Sequence, residues 1–318
     1  MENYHRKEYS FTQKLFAFTS LILVVMGFIL MANAISGIVM KLFLSKPLIN
    51  GDLLSSGIDS AILQKILIYA QLAGAISCLI ILPLLYIHFI KKDIQDTFYS
   101  FNQKDLFQFY GIAILITFAA IPLIGIIADW NKNMNLPESL SGLQLQMKEL
   151  EEKAEELTKL IVGYNNAGEF LLVLLTVAIV PAIGEEIVFR GFVQNELINI
   201  IRNPHISILI TAAIFSFIHF QFFGFFPRML LGIILGYLYF WSGNITVSIL
   251  MHFTNNAMAV IAMNMYKKGY LNVDLESAKD IPLESIFASI LLCATLMYLC
   301  YNLYKKRTDI KENNVFIP

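Results

Sequence analysis

LFAFTSLILVVMGFILMANAISGIVMKLFL, residues 15–44, is apolar apart from hydroxyls, Asn33 and a late Lys41. A bilayer's hydrocarbon core of about 30 Å takes roughly 20 helical residues at about 1.5 Å each, so this stretch predicts a membrane-spanning helix. It is longer than the apolar region of a signal peptide and lacks a small-residue cleavage site, which makes it a retained anchor. Further runs have the same character. Ile66 to Ile90 carries only Gln71 and His88 as strongly polar side chains, Phe107 to Ile127 forms another, and Ile286 to Tyr304 ends in Lys305, Lys306 and Arg307. Between Glu169 and Met265 the apolar runs are shorter and broken by ionisable residues, with spans expected near 169–200, 206–222, 228–241 and 245–265.

About eight spans follow, and with them an all-α, polytopic transmembrane bundle. Composition agrees: 57% of the 318 residues are hydrophobic and 15% charged, against about 25% charged in soluble domains, and the mean hydropathy is +0.64. A net charge of −1 gives no nucleic-acid signal. Cys78, Cys293 and Cys300 fall inside expected spans with no paired spacing, so they suggest packing residues.

The chain divides into three N-terminal spans (1–130), an extramembrane segment (131–168), a helix bundle rich in polar motifs (169–265), and a loop, last span and basic tail (266–318). Lys and Arg in short loops favour the cytoplasmic side. Arg6, Lys7, Lys14, Lys91, Lys92, Lys104, Arg202 and the Lys305–Arg307 cluster therefore place both termini inside, while Lys46 and Lys65 run against the trend. Within 131–168, Leu143, Met147, Leu150, Ala154, Leu157 and Ile161 make a narrow apolar stripe on a helix whose other faces carry Glu149, Glu151, Glu152, Glu155 and Glu156. Three roles are open to it: an ordinary surface helix, a pairing surface for a second copy in a homodimer, or a cover over an aqueous entrance.

Charge inside a span is costly and calls for a partner or a purpose. The densest case is GEEIVFRG, residues 184–191. Glu186 and Arg190 stand four apart in the favourable order for an ion pair, which leaves Glu185 without a local counter-charge. A carboxylate in a poorly solvated place is suited to exchanging protons near neutrality. FSFIH (215–219) sets His219 one helical turn after Phe215, and HFTNN (252–256) sets Asn256 one turn after His252. If the three helices pack together, Glu185, Glu186, His219, His252 and Asn256 converge on one polar cavity able to activate water and stabilise an oxyanion. Taken singly, each motif is as well explained by helix packing. His5, His88 and His205 keep no comparable company.

The ordered set EExxxR (185–190), FxxxH (215–219) and HxxxN (252–256) resembles the CAAX prenyl protease and bacteriocin-processing family of intramembrane proteases, also called type II CAAX or ABI proteins. The first spans match it only in hydropathy. The resemblance implies an endopeptidase whose site lies within the membrane near its cytoplasmic face and acts on a peptide or protein substrate, lipidated in some members. By that similarity Glu185 is the general base, His219 orients the water, and His252 and Asn256 donate to the oxyanion. Glu186 and Arg190 complete the motif. The metal stays open: there is no HExxH pairing, and both a metal-free glutamate mechanism and a Zn2+ held by Glu185, His219 and His252 are compatible with the residues. The family's abundance points to the cytoplasmic membrane of a bacterium. A non-catalytic immunity or scaffold protein and a proton-coupled transporter relaying through Glu185 and His219 are the competing readings.

Overall fold

A computed structural model of the protein describes residues 10–44, 58–91, 103–270 and 281–314. His5, Arg6, Lys7, Lys46 and Lys92 lie outside the described residues. The chain forms ten helices over the described residues. α1 (Phe11–Phe43) starts on a capping box, with Ser10 Oγ accepting from Gln13 N–H and Gln13 Oε1 from Ser10 N–H. α2 (Ser60–Phe89) starts on Asp59, whose carboxylate accepts from the N–H groups of Ala61 and Ile62. α3 (Gln103–Ala119) and α4 (Ile121–Lys132) meet at a 46° bend, with Pro122 in the first turn of α4. Next come α5 (Ser141–Ile161), α6 (Ala167–Ile201), α7 (Pro204–Phe217), α8 (Phe225–Ser242), α9 (Ile245–Lys267) and α10 (Leu283–Asn314). Asn166, Asn203 and Asn244 cap α6, α7 and α9.

The protein is an integral membrane protein with an all-α bundle. Among the described residues, α1, α2, α6, α8, α9 and α10 are each long and apolar enough to cross a bilayer, and the bent pair α3–α4 is either a broken seventh span or a re-entrant loop. The eighth expected span, 206–222, is different. α7 has 14 residues and rises about 21 Å, short of the hydrocarbon core. It stops because the backbone turns at 218–221: the N–H groups of His219 and Phe220 reach back to the carbonyls of Ser216 and Phe217, and Phe220 adopts φ 52°. Left-handed backbone is rare for a bulky side chain and ends a helix sharply.

Close backbone approach fixes the bundle around α6 and α8. A Cβ at Gly232 would stand 3.1 Å from that of Ala212, and one at Gly236 would meet Ile208 at 2.8 Å, so α7 lies directly on α8. Gly184 allows the same approach between α6 and Leu79 of α2.

The helices define two ends. At one, Leu21 and Phe18 of α1 pack with Phe192 and Leu197 of α6, Phe107 of α3 shares a groove with Lys305 and Lys306, and Arg307 Nη1 donates to Ser242 O at 3.1 Å. Lys14, Arg202 and the C-terminal basic cluster thus gather together. At the other lie α5 and the turn Phe222–Gly224. Gln64 of α2 donates from Nε2 to Ile161 O at the end of α5 (3.1 Å), Asn131 of α4 donates from Nδ2 to Phe222 O (3.1 Å), and Glu151 of α5 accepts from Phe223 N–H (3.1 Å).

α5 sits on the bundle with the C-terminal part of its stripe partly covered. Leu143 and Leu150 are exposed, while Met147, Ala154, Leu157 and Ile161 of the stripe are half-buried, Ile161 against a core cluster, and Glu151 lies beside Phe223. Polar bonds to the ends of other helices add to this apolar contact. Cys78, Cys293 and Cys300 are buried and free.

Candidate active site

The six motif residues lie on α6, on α9 and in the turn after α7. Over Ile187–Gln194 the backbone of α6 widens to π-helical turns, and all eight residues are buried. Such widening re-aims side chains within a helix. Arg190 Nη1 lies 2.8 Å from Glu186 Oε1, with both side chains wholly inaccessible, and Arg190 Nη2 donates to Gly232 O at 2.9 Å. The ion pair expected from the spacing therefore exists and also ties α6 to α8. Phe215 closes the other side of the guanidinium, its ring centre 5.1 Å from Cζ.

Glu186 has a second partner that the spacing could not show. The Nδ1–H of His252 donates to the same Oε1 at 2.8 Å. An ionised carboxylate can only accept, so the bond fixes which nitrogen of His252 faces Glu186 and turns Nε2 toward Glu185, whose Oε2 is 3.8 Å away. That separation is too long for a direct hydrogen bond. Glu185 keeps 17% of its side chain accessible while Glu186 keeps none. Two adjacent glutamates thus have separate duties: Glu186 orients His252 from behind, as carboxylates orient histidines in other catalytic sites, and Glu185 faces open space.

His219 lies just beyond the end of α7, not within a helix as the 206–222 span implied. Its Nδ1–H donates to Phe215 O at 2.7 Å, which leaves the lone pair of Nε2 as its free function. Asn256 is oriented at both ends of its amide: Oδ1 accepts from Asn255 Nδ2 (3.2 Å) and Nδ2 donates to Val177 O (3.3 Å).

Glu185, His219, His252 and Asn256 line one cavity of about 380 Å³, together with Gln71, Pro181, Phe215 and Arg228. Glu186 and Arg190 stand outside it. Gln71 was legible only as a polar residue in a span, and Arg228 belongs to none of the three motifs.

The candidate metal set does not gather in a chelating arrangement. Among the described residues no three His, Cys, Asp or Glu side chains are grouped to hold an ion, while the nitrogen of His252 left for a ligand, Nε2, faces Glu185.

The cavity abuts the 218–224 turn through His219 and Gly224, and so lies at the α5 end of the bundle, away from the basic end. Two sequence expectations therefore compete: a cytoplasmic-facing site and cytoplasmic basic ends cannot both hold.

Residues 167–258 match the family model described as type II CAAX prenyl endopeptidase, Rce1-like, a stretch that runs from α6 into α9 and contains all three motifs. No curated protein matches the chain, and neither does any solved structure.

Proposed function

We propose, from the endopeptidase-family match over 167–258, that the protein is an intramembrane endopeptidase in which Glu185 activates water against a peptide bond. The observation that carries this reading is the convergence of Glu185, His219, His252 and Asn256 on one cavity, with His252 held from behind by the Glu186–Arg190 pair.

Glu185 takes a proton from a water that His219 Nε2 holds by accepting its other hydrogen. The hydroxide adds to the scissile carbonyl carbon. The oxyanion that forms accepts from Asn256 Nδ2, which has a second hydrogen beyond the one on Val177 O, and from His252 Nε2 in its protonated form. Collapse breaks the C–N bond, and the proton on Glu185 passes to the leaving amine, so water is consumed as one OH and one H.

With Lys14, Arg202 and Lys305–Arg307 cytoplasmic, the cavity opens toward the opposite aqueous side, beneath α5. A cysteine replacing Lys148 on α5 is then labelled by a membrane-impermeant maleimide added to intact cells. Labelling only after lysis reverses the orientation and returns the site to the cytoplasmic face.

The decisive experiment compares membrane-protein termini in cells carrying wild type or Glu185→Ala. Loss of a general base costs roughly a hundredfold to ten-thousandfold in turnover, so termini present with wild type disappear in the variant at equal expression. The same cleavage should survive a chelator. Identical termini, with Glu185→Gln still complementing a deletion phenotype, would move the assignment to a binding or immunity role.

A further inference from the structure

α3 and α10 run antiparallel. Ser289 Oγ donates to Ala119 O at one end of α3, and the Arg307 guanidinium lies over Phe109 toward the other, 4.7 Å from the ring centre. Between the two helices runs a groove of about 740 Å³, walled by Ile112 and Leu115 on one side and Leu299 and Leu303 on the other. It ends at Lys305 and Lys306, beside Phe107. Gly111 makes the room, since a Cβ there would meet nothing within 4 Å and a side chain would project into open space. From Phe107 to Leu115 the helix rises about 12 Å.

Leu115 and Leu299 are 55% and 45% exposed, so the groove opens sideways to lipid. Its two lysines stand where the apolar stretch of α10 ends, at the height of lipid head groups. Arg307, next in the basic cluster, is turned away from it: buried over Phe109, it donates to Ser242 O. Lys305 and Lys306 are both exposed on the groove, and no acidic side chain is among its described lining residues. An apolar slot that ends in two cations at the interface is complementary to an acyl chain that ends in an anionic phosphate, and basic pockets between transmembrane helices take such head groups. A second copy fits less well. A two-fold axis along the membrane normal would bring the same lysines of both copies to one height, where like charges repel.

We propose that this groove is a binding site for one anionic phospholipid, with an acyl chain between α3 and α10 and the phosphate between Lys305 and Lys306. The groove shares no lining residue with the motif cavity, so lipid binds here whatever chemistry Glu185 performs.

The test is native mass spectrometry of the full-length protein in a neutral detergent, titrated with dioleoylphosphatidylglycerol, dioleoylphosphatidylcholine or glycerol 3-phosphate. The phosphatidylglycerol should be held roughly thirtyfold more tightly than the phosphatidylcholine, about fivefold for each of two lysines near an anionic head group. Lys305→Gln combined with Lys306→Gln should bring the two lipids level. Gly111→Leu, which fills the slot without a clash, should weaken both lipids by roughly tenfold, the loss of about two buried methylenes. Glycerol 3-phosphate, which has no chain, should not bind where phosphatidylglycerol saturates. Equal binding of the two lipids, a preference that survives the double lysine variant, or phosphatidylglycerol binding untouched by Gly111→Leu overturns the proposal. Glycerol 3-phosphate binding as tightly as the lipid overturns it in favour of a soluble phosphate, and a dimer that Gly111→Leu dissolves does so in favour of a second copy.

Discussion

Glu186 and Arg190 on α6, and Glu155 and Lys159 on α5, are both acid–base pairs four residues apart in the same order. The α6 pair is wholly inaccessible and has three further partners around it in His252, Gly232 O and Phe215. The α5 pair leaves 34% of the glutamate and 56% of the lysine side chain in solvent. One spacing therefore serves two kinds of structure. In water an ion pair is worth about 0–1 kcal/mol, because solvent competes for both charges and salt screens them. Buried, the pair contributes little net stability over an apolar replacement, yet neither member can be removed alone without stranding the other.

Arg190→Ala should have the largest effect on stability, about 3–5 kcal/mol, since Glu186 would be left as a bare buried charge and Gly232 O would lose its donor. Thermal unfolding in detergent measures it. A shift no larger than that of an exposed pair would mean that water reaches Glu186. Next in size, the coupling between Glu186 and His252 should appear in a double-mutant cycle with Glu186→Gln and His252→Ala as about 0.5–3 kcal/mol of non-additivity. Additive losses would reduce their 2.8 Å contact to incidental packing.

Smaller still is the pH response of α5. Burial pushes the Glu151 carboxyl above its ordinary range, and the Phe223 N–H and the charges of Arg228 and Lys132 only partly offset this. A carboxyl raised in the docked state favours docking when protonated. Its contribution is complete below the undocked value and is lost as pH rises through the docked one. A spin label on Thr158→Cys should therefore gain mobility as pH climbs out of the ordinary carboxylate range, and Glu151→Gln should flatten the response. Lys159→Ala should change the stability least, by under about 1 kcal/mol.

The bundle was legible because bilayer thickness imposes a length on apolar runs, and every expected span overlaps a helix. The site was legible as three motifs because a four-residue spacing places two side chains on one helix face. What spacing cannot encode is proximity between helices. His252 meets Glu186 across 66 positions of sequence, and Arg228 lines the cavity from α8, which Gly232 and Gly236 allow to lie close on α7. The early stop of α7 was equally hidden, because Phe217, Ile218 and Phe220 are apolar enough to continue a span, and the turn depends on the left-handed backbone at Phe220. The stripe of α5 was legible in its half-buried C-terminal part, but apolar periodicity gives no weight to Glu151, which accepts from a backbone N–H at the end of another helix.

The shortness of α7 bears on how water would be supplied to the proposed hydrolysis. A helix of 14 residues at about 1.5 Å each falls about 9 Å short of a 30 Å hydrocarbon slab. His219 stands just past the last residue of that short helix, and in the proposed reaction a thinner apolar layer at that end would bring it within reach of the aqueous phase.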